Sequence, residues 1–169
     1  MAKKGIVLIG MAGVGKSTIG SALAQALGFD FVDLDKFIRA EQGKTIQQII
    51  DDEGEAALIE LEKKRMYGID LERRVISPGG SIIYDSEVME YLKRSSILIF
   101  LDDTFKNIEK RLGNALTRGI VGLKTKTLKE IYDERRPLYS TYADFTVSIR
   151  GKSREEVVSK ILESNAIRI

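Results

Sequence analysis

Cysteine and histidine are both missing from this chain of 169 residues, and proline occurs only twice. Without cysteine there is no disulfide and no thiolate metal site, which suits a reducing compartment. Without histidine the commonest zinc ligand and the usual general base are gone, so acid–base work falls to Asp, Glu, Lys or Arg. An excess of one charge is also lacking: 27 Lys and Arg stand against 25 Asp and Glu, a net +2. That balance gives no bulk electrostatic case for nucleic acid or a membrane surface. The apolar run behind Met1-Ala2-Lys3-Lys4 breaks at Gly10, too soon for a signal peptide or a membrane span. With 43% hydrophobic and 31% charged residues, the expectation is one globular domain over 1–169, cytoplasmic and monomeric, with a real core. Repeats, low-complexity tracts and linkers are absent as well.

What the chain does have is Gly10-Met11-Ala12-Gly13-Val14-Gly15-Lys16-Ser17-Thr18, a match to G-x-x-x-x-G-K-[ST]. Gly5-Ile6-Val7-Leu8-Ile9 ahead of it reads as a buried strand. Behind it, residues 17–27 place Ile19, Leu23, Ala26 and Leu27 on one helical face, with Gly28 as the stop. In that setting the glycines turn backbone N–H groups inward and the helix adds its positive end, so a phosphate is held without a buried cation cluster. Lys16 is placed to reach the β- and γ-phosphates, and the Ser17 hydroxyl to meet Mg²⁺. The expected ligand is a nucleoside triphosphate.

Further along, residues 29–33 read as a second strand ending in Asp33-Leu34-Asp35. Helical segments follow over 36–42, 46–52 and 55–67, punctuated by Gly43 and Gly54. Arg74-Val75-Ile76-Ser77 is a third strand, closed by Pro78-Gly79-Gly80. A helix over 86–94, the apolar strand 97–101 and a helix capped near Thr104 come next. Residues 113–123 read as a mobile surface loop, and 124–142 as a charged helix broken near Pro137. The strand 145–149 and a helix opened by Ser153 with Glu156 as a capping box complete the chain. Strands alternating with helices predict a parallel α/β sheet covered on both faces.

In such sheets ligands gather at the carboxyl ends of the strands. Asp33 and Asp35, two apart in extended chain, are expected to point the same way. One could hold Mg²⁺ through water while the other binds or deprotonates an acceptor hydroxyl; the alternative is a solvated pair opening a helix. Gly79 and Gly80 either bring backbone N–H groups to a small polar substrate or simply form a tight turn. Arg118 could close over the transferring phosphoryl group. Arg135 and Arg136 suit a carboxylate or phosphate, or form a charged helix face, and Arg111 either stacks on adenine or meets water.

The ordered set of these pieces resembles the shikimate kinase family along nearly the whole chain. It comprises the Gly10–Thr18 loop, Val32-Asp33-Leu34-Asp35, Gly54-Glu55, Val75 through Gly80, Arg111 through Arg118, and Arg135-Arg136-Pro137-Leu138-Tyr139. The resemblance implies a three-layer α/β/α P-loop fold, a five-stranded parallel sheet ordered 2-3-1-4-5, and a mobile lid at about 113–124. It also implies ATP, Mg²⁺ and transfer of the γ-phosphoryl to a hydroxyl of shikimate. On it, Gly13, Val14, Gly15, Lys16, Ser17 and Thr18 hold nucleotide, Arg111 neighbours adenine, and Ser17 and Asp33 serve Mg²⁺. Asp35 takes the acceptor proton, Lys16 and Arg118 steady the transferring group, and Asp35, Gly79, Gly80 and Arg135 bind the acceptor.

Three positions depart from the family pattern: Leu58-Ile59 stands for Phe-Arg, Gly79-Gly80-Ser81 for a triple glycine, and Arg118-Gly119-Ile120 for Arg-Pro-Leu. The missing arginine is one of two that bind the carboxylate, and isoleucine cannot replace a bidentate donor. All three touch the acceptor side or the lid, leaving open a different hydroxylated acceptor such as a polyol or sugar acid. A nucleotide-binding regulatory module without transfer is the remaining alternative.

Overall fold

The structure, a computed structural model, describes residue 3, residues 5–113, residues 117–165 and residue 167. Strand β1 (Gly5–Ile9) is buried over its whole length, so it must be covered on both faces. It takes the centre of a parallel sheet with β2 (Asp30–Asp33), β3 (Arg74–Ser77), β4 (Ser96–Asp102) and β5 (Phe145–Ser148), in the order β2-β3-β1-β4-β5. This is the expected order.

Alternation along β1 divides the core. Ile6 and Leu8 face a cluster built with Ile19, Leu23 and Ala24 of α1 (Lys16–Leu27) and Val157 and Ile161 of α8 (Arg154–Glu163). Val7 and Ile9 face the larger cluster, which gathers α2 (Leu34–Gln42), α3 (Ile46–Glu53), α4 (Glu55–Gly68), a 3₁₀ turn (Gly80–Tyr84), α5 (Ser86–Ser95), α6 (Phe105–Leu112) and α7 (Leu128–Tyr142). Three layers result, as predicted. Capping boxes at Thr45, Thr127 and Ser153 fix the starts of α3, α7 and α8. No helix among the described residues is long and apolar enough to cross a membrane.

Several local expectations need correction. On α1 the buried stripe is Ile19, Gly20, Leu23 and Ala24, while Ala26 is exposed; Gly20 lies so close to the Phe31 ring that a side chain would collide with it. Helix α7 begins at Leu128, not 124, and runs unbroken through Pro137. Its buried residues Ile131, Arg135 and Tyr139 recur every four positions, so packing holds both halves on one axis across the missing N–H. The loop expected on the surface buries Ile120 and Val121, which join the larger cluster. Asn114, Ala115 and Leu116 of that loop, like Met1, Ala2 and Lys4, lie outside the described residues.

Candidate active site

Because the strands are parallel, the turns after β1, β2 and β3 meet along one edge of the sheet. They surround a cavity of about 450 Å³ lined by Gly13, Gly15, Lys16, Ser17 and Thr18 from the first turn. Gly15 is the N-cap of α1 at φ 104, a backbone state that side chains resist, and no side chain caps the helix. The helix's leading N–H groups therefore face the cavity with their positive partial charge. Val14 behaves differently: its side chain joins the core and its amide donates to Met11 O at 3.2 Å. Lys16 is buried, and its Nζ donates to Gly10 O at 2.8 Å and Met11 O at 3.0 Å, leaving a third donor. Burial pulls its pKa down to about 8, against the opposing pull of Asp35.

The acidic side is built differently from the expectation. Asp33 ends β2 and caps α2, accepting from Lys36 N at 3.1 Å, but Asp35 lies in the first helical turn rather than in extended chain. The chain turns helical at Leu34 because the Asp33 cap favours it. Both aspartates nonetheless line the cavity. The other Asp33 oxygen accepts from the Ser17 hydroxyl, so two hard oxygen donors from different turns already touch. That pair fits Mg²⁺, which takes one or two protein oxygens and completes its shell with water and phosphate. Asp35 is held above its ordinary carboxylate range by burial, with Lys16 opposing and Asp33 adding to the rise.

Behind the Ser77-Pro78 wall lies a buried polar group that the sequence reading missed. Glu62 of α4 is 3% exposed and accepts from Ser81 Oγ at 2.9 Å. Burial, with Asp35 nearby, pushes its pKa up to about 8. Its signal was legible: Leu58, Glu62 and Met66 form the buried i, i+4, i+8 stripe of α4, and an acid on an apolar stripe calls for a reason. Gly79 sits at φ −61, so its lack of side chain answers to space and not to a turn. A Cβ there would collide with Glu62 Oε1 and come within 3.2 Å of Asp35 Oδ1. A Cβ on Gly80 would stand 3.0 Å from Arg135 Nη1 and 3.1 Å from the Tyr139 hydroxyl.

Arg135 is 1% exposed, donating from Nη2 to Val121 O at 2.7 Å and from Nε to Tyr84 Oη at 3.3 Å. Arg136 turns the other way and grips Asp102 with a bidentate pair at 2.9 and 2.7 Å, so the two arginines do not act together. Arg118 is exposed and lines the cavity. Its segment is tied to α3 and α4, Gly119 N donating to Gln47 Oε1 at 3.2 Å and Gly122 N to Glu55 Oε1 at 2.7 Å. Arg111 lies outside the cavity lining and pairs with Asp103 at 2.7 Å. Ile59 packs against the larger core cluster and does not line the cavity.

Comparison with known proteins agrees with this architecture. A family model described as shikimate kinase matches residues 12–166. A shikimate kinase of Persephonella marina is 36% identical over 160 residues, covering 94% of this chain and 97% of that protein. The structure of a shikimate kinase from Acinetobacter baumannii in complex with shikimate superposes with a TM-score of 0.87 at 27% identity, covering 95% of this chain and 92% of that one. For the Aquifex aeolicus shikimate kinase the TM-score is 0.78 at 33% identity, over 93% and 92% of the two chains. With the family model spanning residues 12–166 and relatives above 30% identity covered over nine-tenths of both chains, this chain belongs to the shikimate kinase family.

Proposed function

We propose that this protein transfers the γ-phosphoryl group of ATP to the 3-hydroxyl of shikimate, giving 3-phosphoshikimate and ADP. The observation that carries the reading is the meeting of Lys16 and Ser17 with Asp33 and Asp35 around one cavity. In the reaction the acceptor oxygen forms a bond to the γ-phosphorus as the bond to the ADP oxygen breaks, and the hydroxyl proton passes to the Asp35 carboxylate. A base held above the usual carboxylate range is better matched to that proton than an ordinary aspartate.

The loop amides of Gly13 and of residues 15–18 would cradle the phosphates, the Val14 amide joining them if it gives up Met11 O, with Arg111 beside the adenine. Lys16 would exchange its carbonyl partners for phosphate oxygens, and Arg118 would close over the transferring group. Positioning and charge neutralisation supply most of the acceleration in such transfers. Mg²⁺, held by Ser17 and through water by Asp33, would neutralise phosphate charge. Gly79 and Gly80 would let backbone approach the acceptor, and Arg135, with Nη1 beside Gly80, would meet its carboxylate. The reading takes the chain as one kinase domain with a lid at about 113–124, monomeric and cytoplasmic.

A second reading, the same transfer to a polyol or sugar acid, is favoured by Ile59, which removes a cation from the acceptor side. An ADP-release assay with shikimate and a panel of hydroxylated metabolites decides between them. Turnover of shikimate at micromolar to low millimolar concentration is expected; turnover of another metabolite in its place would overturn the assignment. ATP binding with no transfer to any acceptor would leave a regulatory module.

A further inference from the structure

Loss of a cation at position 59 leaves the acceptor side with Arg135 and raises the question of what else can hold a carboxylate. Among the cations lining the cavity, Lys16 is committed to its own loop and Arg118 belongs to the lid segment. Lys36 and Arg39 remain, both on α2. Arg39 stands four residues after Asp35, so the two side chains share one face of the helix, one turn and about 6 Å apart. Its guanidinium is close enough to oppose the upward shift of the Asp35 carboxyl. The Arg39 side chain makes no hydrogen bond or ion pair to another described residue, its carbonyl accepting from Gly43 N to close α2, whereas Arg65 of α4 is engaged with Glu41 at 2.5 Å. The first turn of α3, Thr45 through Gln47, lines the same cavity and adds the positive end of a helix.

A six-membered ring with hydroxyls on one side and a carboxylate across from them has about the reach that separates Asp35 from Arg39 on one helix face. Resting on the proposed shikimate reading, we infer that Arg39 is the second carboxylate-binding cation of the acceptor site, taking on from α2 the role that Ile59 leaves vacant on α4. The acceptor then lies along α2, its reacting hydroxyl at Asp35 and its carboxylate between Arg39 and Arg135. Arg39 is favoured over Lys36 because a planar fork matches a carboxylate with two parallel donors and an ammonium does not.

The test is steady-state kinetics on the wild type, Arg39→Met, Arg39→Lys and Lys36→Met, each with shikimate and with its uncharged methyl ester. Arg39 is exposed, and melting temperatures verify that the variants are folded. Arg39→Met is expected to raise KM for shikimate about 10- to 100-fold, the loss of one charge-assisted bidentate contact. KM for ATP and KM for the ester should stay within about twofold of the wild type, Arg39→Lys should recover part of the loss, and Lys36→Met should shift KM for shikimate less. An unchanged KM for shikimate, an equal rise for acid and ester, or a larger effect from Lys36→Met overturns the assignment. Wild-type enzyme that turns over no shikimate would instead remove the function on which it rests.

Discussion

Glu62 and Ser81 are joined inside the protein, the serine hydroxyl donating to the carboxylate at 2.9 Å with both side chains buried. Both lie at positions tied to departures from the family pattern: Ser81 stands where a third glycine is usual, and Glu62 follows one turn after Ile59 on α4. A buried carboxyl without a direct cation partner is most comfortable neutral.

A pH-dependent stability follows. Glu62 binds its proton more tightly in the fold, at about 8, than at its ordinary 4.5. Between those values the native state holds more protons than the unfolded chain, so stability is full below about pH 4.5 and declines as pH rises toward 8. Glu62→Gln should flatten that decline, with a gain of a few kcal/mol over the wild type near pH 8. Thermal melts at intervals from pH 5 to 8.5 measure it. Lys16, pulled down to about 8 by burial, contributes the opposite slope and only between about 8 and 10.5.

If Asp35 takes the acceptor proton as proposed, it sets the acidic limb of the rate profile. Its carboxyl is raised by burial, so activity should fall with decreasing pH at a value above that of an ordinary aspartate. Asp35→Asn should lower kcat by about 10²- to 10⁴-fold with nucleotide affinity little changed. Stopped-time assays over pH 4–9, with ATP titrated by calorimetry, check both.

Gly79→Ala should separate the two substrates. The added methyl would collide with the Glu62 carboxylate and crowd Asp35 while leaving the phosphate loop untouched. KM for the acceptor is expected to rise about tenfold or more, equivalent to at least about 1.4 kcal/mol, while KM for ATP stays within twofold.

Glu55→Ala should loosen the segment 119–122. The Gly122 amide loses its acceptor at 2.7 Å, a change of about 0.5–1.5 kcal/mol in holding residues 119–122 against α3 and α4. Faster hydrogen exchange at the Gly122 amide than in the wild type, with the core strands unchanged, is the expected readout.

Much of this was legible in the chain, and the misses share a cause. Strand β1 and the loop at 10–18 follow from local patterns: an apolar run rich in β-branched residues, and glycines in fixed spacing before a lysine. Helix α7 through Pro137 was not legible, because what overrides the proline is the packing of Ile131, Arg135 and Tyr139 against other elements. Asp35 was misassigned to extended chain although Asp33 is a good N-cap, a local signal that was outweighed by the strand before it. Glu62 draws its surroundings from residues 79–81, and only the interruption of its apolar stripe announces it. The tether of Gly122 to Glu55 has no local signal at all.

The central place of β1 in the sheet also bears on how the protein is made. Its neighbours begin at Arg74 and Ser96, so β1 waits until the chain has been extended through α1 to α4 before it can pair with either. Distant pairing of this kind slows folding and keeps an apolar edge uncovered in the meantime. The nucleotide loop, though made before either neighbouring strand, is therefore among the last parts to gain its shape, and a nascent chain cut short before β4 should hold no ATP.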